Sequence, residues 1–237
     1  MVTIYTITYN EELMIEFFIL HYRKNFPDCE INIFDNYSTD NTVEIAKKYG
    51  CNIFYYDTNN KLSDIKYLEI KNSCWKTSKT DWVVVCDCDE LIEIDYDSLQ
   101  HEQNNNVSVI RPVGYSLMSF NDNIDLNSIN MGFRDTNFDK CILFRKSQLK
   151  EINYYPGSHN SRPKSNDGCK IIYNEKKYRL LHYKFLNPKH TIERFKLFNN
   201  RLSEDNKKNG WGYHYAWSED KVYQYYKDKE KELIKIK

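Results

Sequence analysis

Residues Val2 to Thr8 (VTIYTIT) alternate apolar positions with threonine, a period of two that predicts a strand. Glu30 to Phe34 (EINIF) and Cys51 to Tyr55 (CNIFY) repeat the pattern. Trp82 to Val85 (WVVV) has no polar alternation and predicts a strand buried on both faces. Helical spacing fills the gaps, from about Glu11 to Lys24 with Leu13, Phe17 and Leu20 on its apolar side, then Thr42 to Tyr49, then Leu62 to Thr77. Asn10 is placed to cap the first helix, and Ser38 or Thr39 the second, which Gly50 closes. The first 90 residues therefore read β-α-β-α-β-α-β, a parallel sheet with right-handed crossovers. No glycine-rich turn follows the first strand, which argues against a dinucleotide fingerprint and a P-loop.

The second half is less regular. Strands are expected at Val107 to Val113, Lys140 to Arg145, Cys169 to Tyr173 and Tyr178 to His182. Asn121 to Asn137 reads as a polar loop, and Pro156 to Gly168 as a turn-rich loop able to close over a site. An amphipathic helix is expected from Thr191 to Asn206, and a charged one from Ser218 to Lys237 with Ser218 as its cap. The expected organisation is one domain over residues 1–210, with 211–237 as a C-terminal helical extension packed on it.

Composition narrows the function. Lysine plus arginine and aspartate plus glutamate both number 34, so no basic excess marks a nucleic-acid or anionic-membrane binder. Seven cysteines occur with no CxxC pair, which reads as free thiols in a reducing compartment. With no charged and apolar leader pattern and no run of 18 apolar residues, a soluble cytoplasmic protein is expected.

The chemistry gathers after the fourth strand. Asp87, Asp89 and Glu90 stand at its carboxyl end, where open α/β sheets bind ligands. Carboxylates so close repel one another unless a cation sits among them, and a divalent metal carrying a phosphorylated ligand fits. A solvated acidic turn is the plain alternative for such a pair.

Three stretches then act together. Thr8-Tyr9-Asn10-Glu11-Glu12 follows the first strand, Asp35-Asn36-Tyr37-Ser38-Thr39-Asp40-Asn41-Thr42 the second, and Asp87-Cys88-Asp89-Glu90 the fourth. In this order and spacing they resemble family 2-like glycosyltransferases of the GT-A fold, DxD-containing and nucleotide-sugar dependent. The resemblance spans about residues 1–95 and continues in patches to about 190, where Gly157-Ser158-His159 and Leu181-His182-Tyr183 look like late elements of one branch. It implies an α/β, GT-A-type fold: an open, mostly parallel nucleotide-binding sheet flanked by helices, a mixed acceptor-side half, and C-terminal helices.

By that resemblance Tyr9 packs on the nucleobase, and Thr8 and Asp35 hydrogen-bond the nucleoside. A basic residue of the third helix, Lys66 or Lys61, meets the diphosphate or the base. Asp87 contacts the ribose or metal-bound water, Asp89 binds the metal directly, and His182 completes the metal shell. Two oxygen ligands and one imidazole suit Mn2+ or Mg2+. The family's usual Glu-Asp pair is absent, which leaves His159 and Asp167 as candidates for the catalytic base. The implied reaction moves a sugar from a nucleoside-diphosphate sugar, UDP-sugar favoured, to a glycan hydroxyl with inversion. Other readings remain beside it. Tyr9 and His182 can be core residues, Asp35 a turn former, Asp167 in Asn-Asp-Gly a plain turn, and His159 a solvated loop residue. The whole chain can be a catalytically degenerate nucleotide- or glycan-binding module, or a DxD phosphotransferase.

Overall fold

The computed structural model describes residues 1–237. The chain opens β1 (Val2–Thr8), α1 (Glu12–Asn25), β2 (Glu30–Asp35), α2 (Thr42–Lys48), β3 (Asn52–Tyr55), α3 (Asp64–Ser73) and β4 (Trp82–Asp87), the alternation its periodicity predicts. Then follow β5 (Glu90–Glu93), α4 (Tyr96–Asn104), β6 (Val109–Ile110), β7 (Val113–Met118), β8 (Met131–Arg134), β9 (Leu143–Arg145), β10 (Leu149–Glu151), β11 (Lys164–Ser165) and β12 (Arg179–Phe185). The chain closes with α5 (Pro188–Arg201), α6 (Glu204–Asn209), α7 (Glu219–Glu230) and β13 (Ile234–Lys235).

Two sheets carry the fold. The first has the order β3-β2-β1-β4-β9-β6, with its first four strands parallel and β9 running against β4. The second has the order β13-β8-β7-β12-β5 and is mixed. Asp87 ends β4 in one sheet and Glu90 begins β5 in the other, so the acidic stretch is the hinge between them. Register then fixes neighbours. Thr8 pairs with Asp35, Ile7 with Asp87, and His182 with both Glu90 and Ser116.

Helix α1 lies in the main core, but not on the face expected. Met14, Ile15, Phe18, Ile19 and Tyr22 are buried and Phe17 is half-buried against the same core, whereas Leu13 and Leu20 are exposed. Both stripes have helical spacing, and the first is the one that packs into the main core. The imidazole of His21 on this helix donates from Nε2 to the Ile92 carbonyl at 2.8 Å, and burial pushes its pKa down to about 4. A lowered histidine favours folding above its unfolded value near 6.5 and loses that contribution as pH falls towards 4. The stability gap between the protein and His21→Gln should therefore narrow across that window, by at most about 1.4 kcal/mol per pH unit. Urea midpoints of both at pH 7 and pH 5 check it, and a gap that stays constant contradicts it.

Other expectations shift at boundaries, each for a local reason. Asn10 adopts φ 54° and does not cap α1; its Oδ1 accepts the Thr39 N–H at 2.8 Å, stitching the first two strand-end loops together. Neither Ser38 nor Thr39 caps α2, because Ser38 is engaged by Asp35. The third helix ends at Ser73 and tightens into a 3-10 turn to Thr77. The expected strand 107–113 is broken at Arg111-Pro112, since proline has no N–H for the ladder. The loop 121–137 contains β8, and 169–173 makes only an isolated bridge, Val109 to Tyr173. The helix expected over 191–206 starts at Pro188 and splits at Leu202, where Ser203 caps a second helix. Ser218 caps α7 as expected, but the helix ends at Glu230 and the tail returns as β13 beside β8, burying Ile236. All seven cysteines are unpaired. No helix is long and apolar enough to cross a membrane.

Candidate active site

A cavity of about 850 Å³ opens at the carboxyl ends of β1 and β4, between the two sheets and under α5. Its floor is the hinge Asp87-Cys88-Asp89-Glu90, and its walls come from Tyr9, Lys71, His159, His182 and Tyr215. Gly210 and Trp211 both contribute to this wall.

The two aspartates are used differently. Asp87 accepts from Lys71 Nζ at 2.6 Å and lies 3.6 Å from Lys140 Nζ. Burial raises its pKa, but the two ammonium groups outweigh that and hold it well below the usual carboxylate range. Lys71 is almost wholly buried because it stands on the same α3 stripe as Asp64 and Tyr67, which also face the cavity. Lys140, buried as well, pairs with Glu90, whose Oε2 accepts the Asp87 N–H at 3.1 Å. Two lysines and two carboxylates thus form one network beneath the hinge.

Asp89 instead faces His182, with Oδ2 3.3 Å from Nε2. The other side of that imidazole is fixed. Ser116 Oγ donates to Asp135 at 2.8 Å, which leaves its lone pair for the His182 Nδ1–H at 3.3 Å. With Nδ1 held by Ser116, Nε2 faces the Asp89 carboxylate across a gap that a proton or a cation can fill. The ring is stacked on Phe138 at 3.8 Å, which fixes its plane. A Cβ on Gly114 would stand 2.4 Å from the Phe138 Cβ, so glycine at 114 is what lets this support approach. No three His, Cys, Asp and Glu side chains form a metal-binding group by themselves, and Asp89 and His182 are the pair that could hold a cation at this floor.

The cavity also holds charge the first strand-end loops supply. Glu11 pairs with Arg194 of α5, and burial lifts its carboxyl to about 7 in spite of that partner. Lys184 Nζ lies 2.9 Å from His214 Nε2, and burial pushes His214 to about 3, which leaves it the acceptor.

A sequence profile of the family described as Glycosyl transferase family 2 matches residues 3–205 of this chain. The chain belongs to glycosyl transferase family 2. The family's class, a glycosyltransferase, is the enzyme class the strand-end motifs lead one to expect. Among curated proteins, none matches by sequence. Of solved structures, S. aureus TarS is similar with a TM-score of 0.50 and 15% identity, over 95% of this chain and 42% of that one. A TarS fragment, 1–349, in complex with UDP is similar with a TM-score of 0.50 and 15% identity, over 97% of this chain and 71% of that one. The chain thus spans less than half of full TarS, and at this identity the likeness establishes the shared α/β GT-A fold.

The structure gathers some of the glycosyltransferase residues expected from sequence and not others. Tyr9, Asp87, Asp89, His159 and His182 all reach the cavity. Thr8 and Asp35 do not line it. Asp35 is fully buried and accepts from Thr8 Oγ1 at 3.0 Å, Ser38 N at 2.8 Å and Ser38 Oγ at 2.6 Å, so it organises the strand-end loops. Lys66 turns outward to Glu69 at 2.7 Å; the lysine of α3 that enters the site is Lys71. Asp167 lies on an exposed turn after β11, outside the cavity, where Asn-Asp-Gly acts as the turn its sequence encodes. Asp87 is engaged by Lys71 at the cavity floor. Sequence reasoning missed Lys71, Lys140, Ser116, Asp135 and Arg194. For Lys71 a signal existed, since Asp64, Tyr67 and Lys71 share one helical stripe.

Proposed function

We propose that this protein is a metal-dependent glycosyltransferase that moves a sugar from a nucleoside-diphosphate sugar to a hydroxyl of a glycan, with inversion. The single observation that carries this reading is the Asp89–His182 pair, a carboxylate and an imidazole nitrogen 3.3 Å apart at the cavity floor, with the imidazole held from behind by Ser116 and Asp135. Mn2+ or Mg2+ fits that oxygen and nitrogen set, and when bound would neutralise the charge growing on the leaving diphosphate as a Lewis acid. UDP-sugars come first among donors, because the TarS fragment of the same fold is a complex with UDP.

The chain's own residues have separable tasks. Lys71 and Lys140 hold Asp87 ionised and in place, with its partly exposed edge free to accept a ribose hydroxyl. Tyr9 and Arg194 wall the donor side. In the transfer the acceptor oxygen bonds to the sugar carbon while the bond to the diphosphate breaks, its electron pair leaving with the diphosphate. The hydroxyl proton goes to a base, and His159 is the candidate that stands in the cavity. Burial, then Lys140, pushes His159 down to about 4, so near pH 7 it is neutral with a nitrogen lone pair to accept, as a weaker base than a free imidazole.

The experiment is a thermal-shift panel of UDP, GDP, CDP and dTDP, each with manganese, magnesium or EDTA. A ligand that binds only the folded protein raises the melting temperature, by about 2.7 kcal/mol of stability at one hundred times its Kd. A rise with one nucleotide that EDTA abolishes is expected, and turnover of the matching sugar nucleotide then separates an enzyme from a degenerate binding module. No rise with any nucleotide and metal rejects the donor class.

A further inference from the structure

Tyr9 lines the cavity, and Arg201 of α5, itself outside the lining, packs on the Tyr9 ring. The guanidinium carbon of Arg201 lies 3.1 Å from the centre of the Tyr9 ring. Arg201 is only 4% exposed. Its hydrogen bonds reach the loops that follow β2 and β3: Nη2 donates to Asn36 Oδ1 at 2.5 Å, and Nε to Asn60 Oδ1 at 3.1 Å. Asn36 is itself fixed, donating to the Tyr56 carbonyl at 2.9 Å and accepting from Thr58 at 3.0 Å. The backbone is tied at the same place. The Leu62 N–H donates to the Arg201 carbonyl at 2.6 Å, and the Ser203 N–H to the Leu62 carbonyl at 3.0 Å.

One group in this arrangement has no partner. Nη1 of Arg201 is buried and makes no hydrogen bond, and the nearby Tyr56 hydroxyl is in the same condition. Buried donors are nearly always paired, and a guanidinium brings five N–H groups in a fixed plane. An unpaired arginine edge stacked on a residue of the cavity wall offers a donor to an acceptor that arrives with a ligand. The chemistry that matches is a flat ring carrying a carbonyl oxygen, which a guanidinium both stacks on and hydrogen-bonds.

We infer that Arg201 is the base-reading residue of this protein: its free Nη1–H meets a carbonyl oxygen of the donor's nucleobase, as in uracil or guanine. This rests on the nucleotide-sugar reading above. Arginine at 201 thus takes the place expected for a basic residue of the third helix, since Lys66 turns away from the cavity. Helix α5 would then sense the donor at both ends, through Arg194 beside Glu11 and Arg201 beside Tyr9.

The test compares binding of UDP, GDP and inorganic pyrophosphate, each with manganese, to the full chain and to Arg201→Met by calorimetry. Pyrophosphate carries no base, so it reports the metal and diphosphate site alone. The expected result is nucleoside diphosphate binding weakened about tenfold or more in the variant, with pyrophosphate unchanged. Equal or tighter UDP and GDP binding by Arg201→Met, with pyrophosphate intact, overturns the inference and makes the arginine a plug or a structural strut. A full chain that binds pyrophosphate but neither nucleotide also overturns it, whereas a full chain that binds none of the three rejects the transferase reading itself. Arg201→Lys covers the case in which the methionine variant loses its fold. It keeps the charge without the planar fork, and should lose preference among bases while still binding pyrophosphate. Undiminished preference in Arg201→Lys counts against a base-reading role.

Discussion

Asp89→Ala should lose donor turnover by about 10²–10³-fold or more, the scale on which removal of a principal charge-stabilising element reduces rate. The expectation follows from where the side chain sits. Its carboxylate makes no bond that holds an element in place; its partner is the Nε2 of His182 across the site. The variant should therefore fold with nearly the melting temperature of the parent while losing the EDTA-sensitive shift with nucleotide. His182→Ala should follow it in direction, and Asp89→Asn should recover little, because a neutral amide is a poor ligand for a hard divalent ion. Turnover of a sugar nucleotide by each variant, alongside its melting curve, checks this. Unchanged turnover in Asp89→Ala would sink the metal assignment.

The second large effect is on stability. Lys140→Met should destabilise the protein by about 3–5 kcal/mol, the cost of stripping a buried charge of its partner. Lys140 and Glu90 are each 1% exposed in their side chains and bond to each other, with Asp87 3.6 Å away. Without the ammonium, Glu90 must either stay ionised in a low-dielectric site or take up a proton. For a domain of this size that corresponds to a fall of about 6–20 °C in melting temperature. The double variant Lys140→Met with Glu90→Gln removes both charges and leaves a side-chain oxygen for the Asp87 N–H, so it should regain most of the loss. Urea unfolding of the three proteins measures it, and a single variant as stable as the parent would show that Glu90 is already protonated in the native state.

Both effects arise at a hinge whose position the sequence announces and whose partners it does not. The first four strands were legible because β-branched runs bounded by polar turns permit few other conformations, and β1 spans the residues its alternation predicts. The acidic stretch after WVVV was legible for the same reason, since a strand buried on both faces must deliver its next polar residues to a sheet end. Membership of the family was legible too, because three strand-end motifs in order are a local property of the chain.

What tertiary structure alone decided is which distant residues meet those motifs. Lys140 lies 50 residues beyond Glu90, at the start of the strand expected over Lys140 to Arg145, and only the pairing of β9 with β4 brings it under the hinge. Ser116 reaches His182 because β7 pairs in parallel with β12, a register no local pattern encodes. Arg201 reaches Tyr9 because α5 stops there and its end is tied to Leu62. Asp167 and Lys66 fail to reach the cavity because turn geometry and helix phase point them elsewhere, facts set by the fold around them. Periodicity and turn chemistry act over a few residues and are written in the sequence, whereas sheet register and helix docking are settled by the packing of the whole core.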